Sequence, residues 1–136
     1  MFACAINCID GRTQEAVRRF MVKRCHVKWV DQVTEPGPSK ILAQNVDHVT
    51  VGRIKERVRI SVCDHLSTVV AIVAHPDCAG NSGNKEQQIA DLREAWKTVK
   101  SFGFPVKIIL LWVNEDWVTV EEHPHRVVSA AMSANS

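Results

Sequence analysis

This 136-residue chain lacks several features that would assign it to a specialised class of protein. None of its apolar runs approaches the length of roughly 18 residues that a membrane-spanning helix needs. Seventeen basic and fifteen acidic side chains leave a net charge of only +2, which is unlike the strongly basic domains that bind nucleic acids. No charged region precedes the apolar N-terminus, as one would in a signal peptide. We therefore predict no membrane segment, no secretion signal and no nucleic-acid partner.

The cysteines also lack the pattern of a secreted disulfide protein. They number five, and they are scattered rather than dense and even in number. This usage favours a reducing, cytoplasmic compartment. A cysteine with a specific role there is commonly a metal ligand or a nucleophile.

Apolar runs of strand length alternate along the chain with stretches of helical periodicity. The predicted strands are Phe2–Cys8, Lys28–Val33, Thr68–Ala74 and Pro105–Val113. The predicted helices run from Thr13 as N-cap, from Asp47 or Thr50 to about Leu66, and from Lys85 to Phe102. This alternation is typical of an α/β fold, in which helices cover both faces of a parallel sheet. We predict one α/β domain over residues 1–128, with a loop at Thr34–Lys40 and a disordered tail over 129–136.

Two polar turns follow the first and third predicted strands. In a parallel sheet, the carboxyl ends of neighbouring strands open into one crevice. Cys8 ends the first of these strands, and His75 and Cys78 directly follow the third. Two thiolates and one imidazole suit Zn²⁺, and three protein ligands leave a fourth tetrahedral position open, as in catalytic zinc sites. We therefore predict a zinc site formed by Cys8, His75 and Cys78.

An acidic and a basic residue lie close to the first of these ligands in sequence. Asp10 and Arg12 follow Cys8 by two and four positions. The Asp10 carboxylate can either accept a hydrogen bond from metal-bound water or become the fourth ligand itself. Arg12 is the natural partner to keep that carboxylate ionised and oriented. We predict Asp10 and Arg12 as the catalytic residues.

Other cysteine and phosphate chemistries do not match the sequence. A phosphatase loop requires arginine six residues after its cysteine, but position 84, six after Cys78, is asparagine. The chain contains no Cys-x-x-Cys redox motif. Gly80–Lys85 only distantly resembles a phosphate-binding glycine-rich loop.

Together, Cys8-Ile-Asp10-Gly-Arg12 and His75-Pro-Asp-Cys78 resemble the Cys-x-Asp-x-Arg and His-x-x-Cys signature of the β-class carbonic anhydrases. The resemblance extends over about residues 2–113. It implies four parallel strands in the order 2-1-3-4, zinc held by the two cysteines and the histidine, and a dimer or dimer of dimers. It also implies a zinc lyase that hydrates CO₂ reversibly to bicarbonate by zinc-bound hydroxide, with Asp10 and Arg12 as the dyad beside the metal. Only seven residues precede Cys8, so we expect a minimal or divergent member without that family's N-terminal helical arm.

Two other functions remain open from the sequence. The same zinc site would suit hydrolysis of carbonyl sulfide or carbon disulfide, and a zinc-binding module without catalysis would serve a homo-oligomer. Trp112 and Trp117 lie near the end of the last predicted strand, and large aromatic residues are enriched at interfaces. An uncovered edge strand also invites pairing. We expect a homodimer through the fourth strand or the segment after it.

Overall fold

The computed structural model describes residues 1–125, and within them five strands form one sheet. The strands are β1 (Phe2–Cys8), β2 (Trp29–Glu35), β3 (Val69–Ala74), β4 (Lys107–Val113) and β5 (Thr119–Glu122). Their order is β2-β1-β3-β4-β5, with the first four parallel and β5 antiparallel to β4. The predicted α/β class and the order 2-1-3-4 are confirmed. The tail predicted over 129–136 lies outside the described residues.

The fifth strand corrects the prediction of four parallel strands. After β4, the side-chain oxygen of Asn114 accepts hydrogen bonds from the backbone N–H groups of Asp116 and Val118, and this turn reverses the chain. A four-residue strand is too short to show a clear periodicity in the sequence. β4 is therefore paired on both sides and offers no uncovered edge, and Trp112 is buried. The segment after it, which was the other predicted place for the interface, contains β5, an edge of the sheet within the described residues. The homodimer itself stays a prediction.

Helices cover both faces of the sheet, as the alternation predicts. They are α1 (Gly11–Cys25), α2 (Pro38–Gln44), α3 (His48–Arg59), which continues as a π-helical segment (Ile60–Asp64), and α4 (Lys85–Ser101). Successive residues of β3 point to opposite faces, so Ile72 packs with the α2, α3 and α4 side, and Ala71 packs with α1. No helix within residues 1–125 is long and apolar enough to cross a membrane.

Two predicted boundaries move for identifiable reasons. α1 begins at Gly11 rather than after Thr13, because the Asp10 carboxylate accepts the Arg12 backbone N–H and caps the helix three residues earlier. The loop predicted over Thr34–Lys40 shrinks to two residues. β2 continues to Glu35, and α2 begins at Pro38, since proline tolerates the first helical position, where its missing N–H is not needed.

Candidate metal centre

The topology brings the three predicted zinc ligands together. β1 and β3 are neighbouring parallel strands, so Cys8 at the end of β1 lies beside the loop that follows β3 and contains His75 and Cys78. The possible ligand atoms of the three side chains all lie within 4.8 Å of one another, and all three residues are buried. The prediction that these residues meet at one edge of the sheet is confirmed.

The distance between the two sulfur atoms suits a tetrahedral zinc ion. At a Zn–S bond length of about 2.3 Å, two tetrahedral ligands place their sulfur atoms about 3.8 Å apart. The Sγ atoms of Cys8 and Cys78 are 3.7 Å apart. Two sulfurs and one imidazole nitrogen are also a ligand set that zinc prefers. The residues present therefore fit the metal.

The imidazole of His75 has one nitrogen occupied and one free for a ligand. Nδ1 lies 2.7 Å from the carbonyl oxygen of Pro76, which is consistent with an N–H donor at that nitrogen. Within the described residues, Nε2 is buried and has no hydrogen-bond partner. A buried nitrogen lone pair without a partner is unfavourable unless something binds it. This arrangement is the one that metal-binding histidines commonly adopt.

The two sulfur atoms lie close enough for each to change the pKa of the other. The pKa of Cys8 is lowered to about 4, first because of its hydrogen bond with Cys78, and further because His75 lies beside it. The pKa of Cys78 is raised, first because of the same hydrogen bond and further because the site is buried. Burial lowers the pKa of His75, but the neighbouring Cys8 and the Pro76 carbonyl outweigh burial and raise it. Metal binding requires the release of these protons.

A buried amide fixes the backbone at the first ligand. Asn7 is fully buried, and its Oδ1 accepts hydrogen bonds from the backbone N–H of Cys8 at 2.8 Å and from the hydroxyl of Thr13 at 3.1 Å. Its Nδ2 donates to Gln32 at 2.8 Å, which connects β1 to β2. Gln14 donates to the carbonyl oxygen of Cys8 at 2.7 Å. Both backbone polar groups of Cys8 are thus held by side chains.

Asp10 lies beside the cluster and is held by Arg12. Within the described residues, every hydrogen bond that the Asp10 carboxylate accepts comes from Arg12: one from its backbone N–H, and three from its side chain at 2.7–3.3 Å. These bonds lower the pKa of Asp10 to about 2, so the carboxylate is ionised at neutral pH. Its Oδ2 is 4.0 Å from Nε2 of His75. The structure therefore places both predicted catalytic residues next to the candidate ligands.

Two residues near this pair were not predicted from the sequence. Arg12 also bonds Asp77, donating from Nη1 to its carboxylate at 3.3 Å and from Nη2 to its carbonyl oxygen at 3.2 Å, and so connects the two loops. The ring of Trp117, in the β4–β5 turn, lies with its centroid 4.5 Å from Cζ of Arg12 and 6.3 Å from the ring of His75. Asp77 lies within the His-x-x-Cys motif, so its position in the sequence could have predicted that it lies near the site. No sequence pattern connects Trp117 to a loop more than 100 residues away.

One comparison with known proteins agrees with these motifs. A family model described as "Putative carbonic anhydrase" matches residues 1–122. No curated protein matches the chain. Among solved structures, the chain is similar to the β-carbonic anhydrase CafA of the fungal pathogen Aspergillus fumigatus, with 13% sequence identity and a TM-score of 0.49, over 97% of this chain and 79% of that one. The family match spans both motifs and all the strands described above.

Proposed function

The chain belongs to the family described as "Putative carbonic anhydrase", and from that membership we propose that it is a zinc-dependent lyase that converts CO₂ and water reversibly to bicarbonate. One observation supports this proposal most directly. Cys8, His75 and Cys78 bring two sulfurs and an unpartnered imidazole nitrogen to one buried point, beside an ionised carboxylate. A site with only three protein ligands is typical of catalytic rather than structural zinc.

In this proposal, Cys8, His75 and Cys78 hold the zinc ion and leave its fourth position for solvent. When bound, zinc supplies Lewis acidity that lowers the pKa of a water molecule from 15.7 towards about 7. The carbonyl oxygen of Pro76 favours the His75 tautomer with its proton on Nδ1, which leaves the lone pair of Nε2 free to bind the metal. The Asn7 amide holds the backbone N–H of Cys8, and so helps to fix the position of the Cys8 sulfur at the end of β1.

Asp10 orients the nucleophile in this proposal. Because its pKa is held near 2, the Asp10 carboxylate accepts hydrogen bonds at neutral pH and does not donate them. The Asp10 carboxylate therefore favours a hydrogen-bond donor beside it, such as the attacking water. Accepting this hydrogen bond would orient the water so that its lone pair points away from Asp10. Arg12 holds the carboxylate by three side-chain bonds, so Asp10 stays beside the fourth position instead of occupying it.

A homodimer is the second part of the proposal. β2 and β5 are the two edges of the sheet within the described residues, and two apolar side chains are exposed at the β5 edge, Val120 in the strand and Val118 just before it. Exposed apolar edges of this kind favour pairing with a second copy. Sedimentation equilibrium tests this part separately from catalysis.

Stopped-flow CO₂ hydration at pH 7 and pH 9 tests the enzymatic part, on protein whose zinc content is measured in the same sample. We expect one zinc per chain and fast turnover, with both lost in Cys78→Ser. Cys63→Ser is the matched control, because Cys63 is an exposed free cysteine outside the ligand cluster, and this variant should retain both properties. One zinc per chain without CO₂ turnover would contradict the lyase and favour either carbonyl sulfide or carbon disulfide as substrate, or a non-catalytic module.

A further inference from the structure

The chain between β2 and α2 lies unusually close to the loop that contains Cys78. A Cβ atom on Gly37 would lie 2.6 Å from the carbonyl carbon of Gly80, and a Cβ atom on Gly80 would lie 2.3 Å from the carbonyl carbon of Pro36. Backbone this close leaves no room for any side chain at either position. Gly37 also has a φ of +61°, which favours glycine. We call this packing of Pro36–Gly37 against Gly80 the glycine contact.

The glycine contact crosses the end of the strand that provides the first zinc ligand. β1 lies between β2 and β3, so a segment leaving β2 must pass the carboxyl end of β1 to reach the loop after β3. The same segment is tied to β1 directly, because the backbone N–H of Ile9 donates to the carbonyl oxygen of Glu35 at 3.1 Å. Glu35 pairs in register with Cys8. One short segment is thus joined to the backbone around Cys8 and to the loop of Cys78.

The segment is fixed at both of its ends. On one side it continues β2, and on the other it enters α2 at Pro38. α2 is held against α4 by the hydroxyl of Thr98, which donates to the carbonyl oxygen of Leu42 at 2.7 Å and is buried with it. The loop of Cys78 is itself a tight turn, in which the N–H of Asn81 donates to the carbonyl oxygen of Cys78 at 3.2 Å. Two rigid pieces of backbone therefore meet at the glycine contact.

We propose that Pro36–Gly37 is a positioning element of the metal centre, which holds the loop of Cys78 at the distance from Cys8 that zinc requires. Gly37 and Gly80 are then positioning residues, because glycine has no side chain that could bind the metal and both would act through the backbone around the ligands. The inference rests on the proposed zinc site, but it does not depend on which substrate that site converts. It also gives a role to the proline–glycine segment between β2 and α2, which the two zinc motifs do not explain.

Two substitutions test the glycine contact from its two sides. Gly37→Ala and Gly80→Ala each force the backbones apart, and Gly80→Ala does so without the penalty of a positive φ. Gly103→Ala is the matched control, because Gly103 has a φ of +81° but nothing lies within 4 Å of its Cβ position. The readouts are the Kd for Zn²⁺, from competition with a chromophoric chelator, and the thiolate-to-metal charge-transfer absorption of the Co²⁺-loaded protein.

We expect the Kd for Zn²⁺ to rise by about 10- to 100-fold in Gly37→Ala and Gly80→Ala, the range typical of residues that orient metal ligands. The Co²⁺ charge-transfer band should weaken or shift in both variants, and both readouts should match wild type in Gly103→Ala. Wild-type affinity and an unchanged band in Gly37→Ala and Gly80→Ala would overturn the inference. A wild-type protein that binds zinc without hydrating CO₂, while both variants bind it weakly, would sink the proposed lyase and support the positioning role.

Hydrogen exchange on the wild-type protein tests the same inference without any variant. We expect zinc to slow amide exchange in a peptide covering residues 35–40 as well as in one covering 75–82. The segment 35–40 contains none of the three candidate ligands. Slower exchange there would therefore have to be transmitted from the site through the glycine contact. Zinc-dependent protection confined to 75–82 and to the end of β1 would overturn the inference, and so would a wild-type chain that binds neither Zn²⁺ nor Co²⁺.

Discussion

Replacing Asn7 by alanine should weaken both the fold and the metal centre. Asn7 is fully buried between β1, β2 and α1, and its amide satisfies the backbone N–H of Cys8. In Asn7→Ala that N–H loses its acceptor. The hydroxyl of Thr13 keeps a second acceptor, the carbonyl oxygen of Asp10 at 2.8 Å, and Gln32 keeps its bond to the carbonyl oxygen of Gln14. The main penalty is therefore one unpaired buried donor together with a small cavity.

An unpaired buried donor destabilises a protein by about 1–3 kcal/mol. With the cavity left by the missing carboxamide, we expect the free energy of unfolding of the metal-free chain to fall by about 2–4 kcal/mol. The Kd for Zn²⁺ should also rise, by about tenfold, because the Cys8 backbone is no longer fixed. The two effects are separable, since unfolding is measured on metal-free protein and zinc binding on the folded chain.

Urea denaturation at 25 °C, followed by circular dichroism, and a chelator competition are the two assays. Asn84→Ala is the control. It removes one exposed helix-capping bond to the N–H of Gln87 and should lower the free energy of unfolding by about 1 kcal/mol without changing zinc affinity. A loss below 1 kcal/mol in Asn7→Ala, with zinc affinity equal to that of wild type, would refute this account of how Cys8 is positioned.

Two further predictions concern the carboxylate and the metal. Arg12→Ala removes three of the four hydrogen bonds to Asp10 and frees the carboxylate to occupy the fourth ligand position, so kcat/KM for CO₂ should fall at least tenfold at pH 7. The matched variant Arg18→Ala breaks a comparable exposed ion pair with Glu15 on the same helix and should keep wild-type turnover in the same stopped-flow assay; equal rates in both variants would contradict the role of Arg12. Chelation of zinc should lower the melting temperature in calorimetry, because a ligand present at 100 times its Kd stabilises the fold by about 2.7 kcal/mol, and an unchanged melting temperature would argue against zinc at this site.

The meeting of the candidate ligands could be predicted because it depends only on features that sequence patterns report well. The apolar runs that become β1 and β3 are buried on both faces, so they are near-continuous and easy to recognise. Parallel pairing then places their carboxyl ends together. Cys8 and His75 lie at those ends, so the cluster followed from strand position and from the chemistry of the side chains.

The surroundings of the cluster depend on local geometry that the sequence does not display. The proline–glycine segment was predicted to be a loop because prolines usually interrupt regular structure, yet Pro38 starts a helix. Trp117 reaches Arg12 only because the Asn114 turn folds β5 back onto β4. The role of Asn7 was also hidden, since a single asparagine at the end of an apolar strand is no more typical of a buried bridge than of an exposed turn.

The ends of β1 and β3 are connected in two ways, once through a side chain and once through packed backbone. Arg12 bridges the two loops through side chains, by bonding Asp10 and Asp77, and it is half exposed to solvent. The glycine contact bridges them through closely packed backbone, which no side-chain rotation can release. Since a side chain can rotate away and packed backbone cannot, the backbone contact is the one suited to setting the distance between the two sulfurs. The arginine bridge is suited to setting the direction in which the Asp10 carboxylate points. Because the two connections have different roles, we expect Gly37→Ala to change metal affinity more than Arg12→Ala does. Arg12→Ala should instead change turnover per bound zinc.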